Sequence, residues 1–280
     1  MTGQNASNAD QIEYWNGKAG ENWAAQADRL DAMLSPYIDI VLSAAQIGKG
    51  QRVLDVGCGS GALSRAALAA GAGHVTGVDV SGPMLSLARK RAEGRSDAEF
   101  IQADASVWQA DGKFDRLISR FGVMFFADPQ AAFANLRAQM AADGRLAFVC
   151  WQPLSRNDWA VEPLKAALSL TNEAPARPEP GAPGPFAFED ADRTVGLLGG
   201  AGWMDVTATS WAGKMQLPGD TVDEAAAFAI RMGPAARLIA EKELDPDKVF
   251  DVVRSALAEK ADADGLVRLD AAVWIITAQA

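Results

Sequence analysis

From Val53 to Val149 the chain alternates short apolar runs with amphipathic stretches, a rhythm that predicts strands and helices in turn. Strands are expected near residues 53–56, 75–80, 98–102, 114–119 and 145–150, with Asp143-Gly144-Arg145 marking the turn into the fifth. Right-handed crossovers then give a parallel sheet whose ligands lie beyond the carboxyl ends of its strands. Val206–Thr209 and Arg268–Thr277 read as two further strands. Residues 1–10 read as a disordered tail. The aromatic and polar stretch from Tyr14 to Trp23 leads into a helical pattern through Leu30, Met33, Leu34, Ile38 and Leu42. A helical insert from Thr221 to about Ala261 opens on a plausible capping box, Thr221-x-x-Glu224. Pro175, Pro178, Pro180, Pro183 and Pro185, with Gly181 and Gly184, exclude a regular helix or central strand ahead of the sixth strand. Trp151, Trp159 and Leu164 precede that segment and Phe186 and Phe188 close it, which implies that part of it packs.

The most informative stretch is Val53-Leu54-Asp55-Val56-Gly57-Cys58-Gly59-Ser60-Gly61, followed by the helix-like Ala62–Leu68. It reads as a buried strand, a tight turn and a helix whose N-terminus faces the turn. Glycines there permit positive φ and close approach of a ligand, and the N–H groups at the helix start attract an anionic group. The glycines alone are ambiguous, because Gly57, Gly59 and Ala62 also satisfy the dinucleotide fingerprint. Three acids at consecutive strand ends tip the balance. Asp55 precedes the loop and can meet a cationic group. Asp79 can take both hydroxyls of a ribose, and Asp104 can accept from the exocyclic amine of an adenine. A dinucleotide needs one such acid, and its pyrophosphate would be repelled by the others.

With Phe114-Asp115-Arg116-Leu117-Ile118-Ser119-Arg120-Phe121 in register behind them, these motifs resemble the class I S-adenosylmethionine-dependent methyltransferases. The likeness is to their small-molecule members near the ubiquinone/menaquinone methyltransferase-like group. It is strong over about residues 50–150, looser before and weakest after residue 151. The resemblance implies an α/β fold, a Rossmann-like, doubly wound, seven-stranded sheet that is mostly parallel with an antiparallel last strand, plus lid inserts. It implies an N-terminal helical flap (1–50), a cofactor-binding core (51–150), a Pro-rich lid insert (151–205) and C-terminal strands with a helical insert (206–280). S-adenosyl-L-methionine is the implied cofactor. Its expected contacts are Asp55, Gly57, Cys58, Gly59, Gly61, Asp79, Val80, Met84, Asp104, Ala105, Ser119 and Arg120, with Trp15 and Trp23 from the flap. Tyr14, Phe121, Met124, Trp151 and Phe186 are the expected contacts of a small, partly apolar or aromatic acceptor. The implied activity is methyl transfer by in-line displacement. Two alternatives stay open, a quinone-biosynthesis carbon methyltransferase and a non-catalytic cofactor-binding sensor or interaction module.

Several residues carry two readings. Arg120 binds an acidic group of the substrate or pairs with a nearby carboxylate; Cys58 is also explained by its small size. Phe126 reads as core, and Cys150 as a border of the substrate cavity. The single histidine, His74, enters the second strand at the end opposite the ligand and reads as structural, so no catalytic acid or base stands out. One histidine and two separated cysteines make no usual zinc set. The net charge of −10, from 26 basic and 36 acidic residues, disfavours nucleic acid and anionic membranes as partners. No apolar run approaches a membrane span, and Met1–Asp10 lacks the pattern of a secretory signal. Two cysteines make no disulfide framework, so the cytoplasm is the expected compartment. Oligomeric state is not legible.

Overall fold

The computed structural model describes residues 8–171, 173 and 179–280. Residues 1–7 of the expected tail, and Pro175 and Pro178, lie outside the described residues. The remainder of that tail is already folded, since Asn8 is buried and the first helix starts at Ala9.

Four N-terminal helices come first: α1 (Ala9–Asn16), α2 (Lys18–Ala25), α3 (Ala27–Met33) and α4 (Pro36–Ala45). The helical pattern read as one stretch divides at Pro36, which takes the first turn of α4, where its missing N–H costs nothing. Then follow β1 (Arg52–Val56), α5 (Ala62–Ala69), β2 (His74–Asp79), α6 (Gly82–Arg91) and β3 (Ala98–Gln102). The chain continues through β4 (Phe114–Arg120), α7 (Pro129–Ala138), β5 (Met140–Trp151), α8 (Asp158–Leu168) and α9 (Ala191–Gly200). It ends with β6 (Met204–Gln216), α10 (Val222–Ala229), α11 (Gly233–Lys242), α12 (Pro246–Ala258) and β7 (Arg268–Gln279).

The seven strands form one sheet in the order β3-β2-β1-β4-β5-β7-β6. The first five pair in parallel, and β7 runs antiparallel to both of its neighbours. This is the expected doubly wound sheet with its antiparallel last strand. Two boundaries differ. No turn separates Asp143-Gly144-Arg145 from the fifth strand. Pairing instead jumps from Phe114 opposite Met140 to Arg116 opposite Arg145, an irregularity carried inside β5. The sixth strand continues past Thr209 to Gln216, because β7 offers it an unbroken ladder and Lys214 pairs across to Asp270 at 2.6 Å.

The central strands are buried on both faces: Val53, Leu54, Leu117, Ile118, Leu146 and Phe148 expose nothing. A second core lies under the helical insert, where Val249, Val253 and Leu257 recur every four residues along α12 and meet Leu217, Leu238 and Val267. The insert opens as expected on Thr221, whose hydroxyl accepts the Glu224 N–H at 3.2 Å. The return arm of that box is displaced by one residue, since the Glu224 carboxylate takes the Asp220 N–H at 2.8 Å.

Strand order reverses direction beside β1, so the loops after β1 and β4 meet at the topological switch point. Gly57 there adopts φ +66°, and a Cβ on it would lie 2.5 Å from Gly122 Cα. A Cβ on Gly122 would lie 2.5 Å from the Val56 carbonyl oxygen. Gly122→Ala should therefore cost about 1–3 kcal/mol of stability through forced backbone shift. Gly196→Ala is the matched control, because a Cβ there, inside α9, meets nothing within 4 Å. It should stabilise by about 0.5–1 kcal/mol. Urea denaturation of both variants reads the contrast, and equal effects would refute the claimed contact.

Candidate active site at the sheet's carboxyl edge

The acid at the end of β1 is almost wholly enclosed, with Asp55 1% exposed. Its Oδ2 accepts the Ser64 hydroxyl at 2.6 Å, and Oδ1 is buried without a hydrogen-bond partner among the described residues. Burial pushes its pKa up to about 7; the Ser64 hydrogen bond and the Arg120 charge pull the other way, and the Asp79 charge adds to the rise. A buried acceptor oxygen left bare is costly, and a hydrogen-bond donor, most strongly a charged one, would satisfy it.

At the tip of β2, each oxygen of Asp79 holds one backbone N–H at 2.8 Å, from Ser81 and from Gly59. Burial raises its pKa, and these N–H groups oppose the rise. Each carboxylate oxygen keeps a second lone pair for a further donor. The loop glycines are thus fixed by the acid beyond them. Gly57 and Cys58 donate to the Val78 carbonyl at 2.8 and 3.3 Å, and Gly61, in the left-handed region, enters α5. The Cys58 side chain turns inward onto Leu85, Ala88 and Phe100, which leaves backbone alone for the role expected of it. Ser81 caps α6, and Met84 behind it brings its Cε to 3.2 Å from where a Cβ on Gly59 would stand. After β3, Asp104 Oδ1 accepts from Asn8 Nδ2 and from the Ser106 N–H, both at 2.9 Å. Ala105 is buried, and its carbonyl accepts from Asn135 at 3.1 Å.

Helices α1 to α3 lie across these strand ends. Asn16 donates to the Val80 carbonyl at 2.9 Å and accepts the Gly82 N–H at 3.0 Å. The Ser81 hydroxyl donates to the Trp15 carbonyl at 2.9 Å. The Trp15 ring meets Trp23 and Phe125 edge-on, at 5.5 and 5.2 Å. Asp31 on α3 accepts from Ser60 Oγ at 2.6 Å and from Arg91 and Arg120 at 2.8 Å each. Burial works to raise the Asp31 pKa, yet the hydrogen bonds from Ser60 and Arg120, with the Arg120 charge, hold it below the ordinary value. Of the two readings for Arg120, the structure has the carboxylate pair, with a second bond to the Leu34 carbonyl at 3.2 Å.

Ser119 does not reach the ligand side with its hydroxyl. It donates to the Val56 carbonyl at 2.7 Å and accepts the Gly122 N–H at 3.2 Å, which ties the two loops of the switch point together. Tyr14 is 58% exposed and meets the edge of Trp15, so it stands apart from the other expected acceptor contacts. Those gather beyond β4. Phe121 stacks on Trp151 with centroids 4.2 Å apart, Trp151 meets Trp159 at 4.9 Å, and Trp159 stacks on Phe186. Met124 is buried beside them, and its carbonyl accepts the Gly184 N–H at 3.0 Å, docking the described part of the Pro-rich segment. Cys150 is fully buried, with its sulfur 3.8 Å from the Phe188 carbonyl oxygen. Phe126 packs on Phe133 as core. His74 pairs in register with Arg52 at the start of β1, at the far end of the strand from Asp79.

Asn8, Asn16, Asp31, Tyr37 and Gly122 escaped sequence reasoning. Tyr37 on α4 faces Phe121, Trp151 and Trp211 edge-on at 5.0, 5.4 and 5.5 Å. Asn8 falls in the stretch read as a disordered tail, and Asn16, Asp31 and Tyr37 lie in polar or amphipathic helical stretches where no local signal marks a long-range partner.

Comparison with known proteins agrees with this geometry. Residues 53–144 match the family model described as a methyltransferase domain. An uncharacterized protein of Mycobacterium tuberculosis (strain ATCC 25618 / H37Rv) is 36% identical over 132 residues, which cover 46% of this chain and 47% of the relative. Demethylmenaquinone methyltransferase of Thermus thermophilus is 37% identical over 120 residues, covering 41% of this chain and 52% of that protein. The chain thus spans about half the length of the curated relatives it matches. Among solved structures, phosphoethanolamine N-methyltransferase 2 of Haemonchus contortus in complex with S-adenosyl-L-methionine superposes with a TM-score of 0.58 at 16% identity. That likeness, covering 98% of this chain and 60% of the other, is one of fold. Residues 53–144 thus carry a methyltransferase domain, set within the seven-stranded sheet.

Proposed function

We propose that the chain binds S-adenosylmethionine across the ends of β1, β2 and β3 and transfers its methyl group to a small, partly apolar or aromatic acceptor. The observation that carries this reading is the bare, buried Oδ1 of Asp55 beside the glycine loop. It fits an ammonium group, with Asp79 taking ribose hydroxyls, Met84 packing the adenine face and Asp104 accepting from the adenine amine. Gly57, Gly59 and Gly61 keep the loop low enough for backbone contact, and Trp15 with Trp23 covers the site from α1 and α2.

When bound, the cofactor supplies an electrophilic methyl on a sulfonium. In-line displacement at such a centre asks the protein chiefly to align and desolvate the nucleophile. Phe121, Met124, Trp151 and Phe186 supply apolar walls for that purpose, and Arg120, neutralised by Asp31, limits stray charge beside them. A second reading, carbon methylation of a quinone precursor, is favoured by the 37% identity to a demethylmenaquinone methyltransferase.

Calorimetry should give micromolar binding of S-adenosylmethionine, about 8 kcal/mol, and none of NAD. Asp79→Ala should weaken that binding by about 1–3 kcal/mol. Tight NAD binding, or an indifferent Asp79→Ala variant, would overturn the cofactor assignment.

The raised pKa of Asp55 gives a separate test. A carboxyl whose folded pKa is about 7 adds stability that is complete below its unfolded value and lost as pH climbs through about 7. Asp55→Asn, always neutral, should therefore gain on the parent between about pH 4 and pH 7, by on the order of 3 kcal/mol in ligand-free protein. Cofactor binding should show the reverse. An ammonium favours the ionised acid, so parent affinity rises from pH 5 to pH 7 while the variant's stays flat. Thermal melts and calorimetry that run parallel for both proteins would show that Asp55 is not the ammonium partner.

His74→Gln should keep cofactor affinity and turnover within a few-fold of the parent, since five strand steps of about 3.3 Å place it roughly 16 Å from Asp79. A hundredfold loss in a folded, cofactor-binding variant would contradict this placement.

A further inference from the structure

Tyr37 is 1% exposed, yet its hydroxyl has a single hydrogen-bond contact among the described residues, the thioether sulfur of Met215 at 3.8 Å. A thioether is a weak acceptor, and buried tyrosine hydroxyls normally find a better partner. The group stands among rings. Phe121 and Trp151 lie parallel within 11°, and the Tyr37 ring meets both, and Trp211, edge-on. The nearby Trp159 N–H is already committed to Asn157 Oδ1 at 3.2 Å.

Phe121 adds an independent observation. It holds φ +64°, a region bulky side chains rarely adopt, immediately before the Gly122 contact with Gly57. Strain of this kind is retained where surrounding structure enforces it, commonly at ligand sites. It aims this ring out of β4 at the Trp151 face, next to the switch point where the cofactor's reactive end is proposed to lie.

We propose that the Tyr37 hydroxyl is the polar anchor of the acceptor pocket, which therefore takes a flat aromatic molecule bearing a hydroxyl or carbonyl oxygen. The inference rests on the methyl-transfer reading of the strand-end site and specifies its substrate class. An aromatic acceptor replaces ring stacking with ring stacking as Phe121 and Trp151 part, and its oxygen gives the hydroxyl an acceptor stronger than sulfur. Burial keeps the Tyr37 pKa well above its ordinary value, so the group acts as a donor that positions the acceptor and does not serve as a base.

The test uses naphthol and naphthalene as probes, titrated by quenching of tryptophan fluorescence with S-adenosylhomocysteine present. The parent should prefer naphthol about two- to tenfold, the range of one neutral hydrogen bond. Tyr37→Phe should erase that preference, leave naphthalene binding unchanged and melt within a few degrees of the parent. A purely structural tyrosine would move the melt and leave the preference. Met215→Leu, a volume-conserving exchange, keeps the hydroxyl but removes its resident partner, so the preference should persist or grow. No preference in the parent, a preference surviving Tyr37→Phe, or its loss in Met215→Leu would each overturn the proposal. Cofactor calorimetry on the same samples reports separately on the methyl-transfer reading, so the two can fail independently.

Discussion

The backbones of the loops after β1 and β4 approach so closely at Gly57 and Gly122 that neither position has room for a Cβ. That approach sets the geometry of the ligand end. It brings Asp55 under the start of α5, lets the Ser119 hydroxyl bridge the Val56 carbonyl and the Gly122 N–H, and forces Phe121 into positive φ. Moving the loops apart by the width of a methyl would separate the acid end of the site from its aromatic end. The parallel sheet supplies the direction of the strands, but this contact decides how near their tips converge.

Helices α1 to α3 are tied to those tips by polar groups, whereas α4 packs into the main core through Tyr37, Val41 and Ala45. Asn8 reaches Asp104 and the Ala127 N–H, Asn16 reaches both sides of the β2 exit, and Asp31 gathers Ser60, Arg91 and Arg120. Asp31 also reconciles charge. Arg120 lies near the buried Asp55, and its charge lowers the Asp55 pKa, while Asp31 supplies the counter-charge Arg120 needs in a half-buried position. Truncating Asp31 alone would leave the Arg120 guanidinium without its acid, while Arg91 keeps Asp28, and breaking one side of a partly buried pair is the costly case.

What the sequence made legible follows from range. Strand–acid–glycine signals are local, so the sheet core, the three acids and the glycine loop were readable from periodicity and turn chemistry. The insert's start at Thr221 was readable for the same reason. Features set by contact between distant segments were not. Ser119 looked like a ligand group, but its hydroxyl is taken by a carbonyl from β1. Cys58 sat among the loop glycines, yet the turn after β1 directs its sulfur into the α6 layer. The length of β6 was misjudged because pairing with β7 carries a polar and glycine-containing stretch that no strand propensity would select, and the start of β5 because Met140 pairs with Phe114 of β4 ahead of the irregularity. Asp31 and Tyr37 sit on amphipathic helices, where a charged or aromatic residue is ordinary until its partner is known.

The two halves of the site are closed in chemically different ways. On the acid side, Asp79 and Asp104 are held by backbone and amide N–H groups, and one oxygen of Asp55 has no partner among the described residues. On the aromatic side, rings fill the space that an acceptor would need, and Phe186 with the Gly184 contact caps them. On the proposed reading, a ligand entering the first half adds hydrogen bonds to acceptors that have lone pairs to spare, so unmet polar demand favours cofactor binding there. A ligand entering the second half must displace protein rings that already stack well, so its affinity depends on what it offers beyond apolar contact. On the proposed reading this orders selectivity: the acid half discriminates by charge, whereas the aromatic half discriminates by whether the incoming ring also carries a polar atom in reach of a hydroxyl.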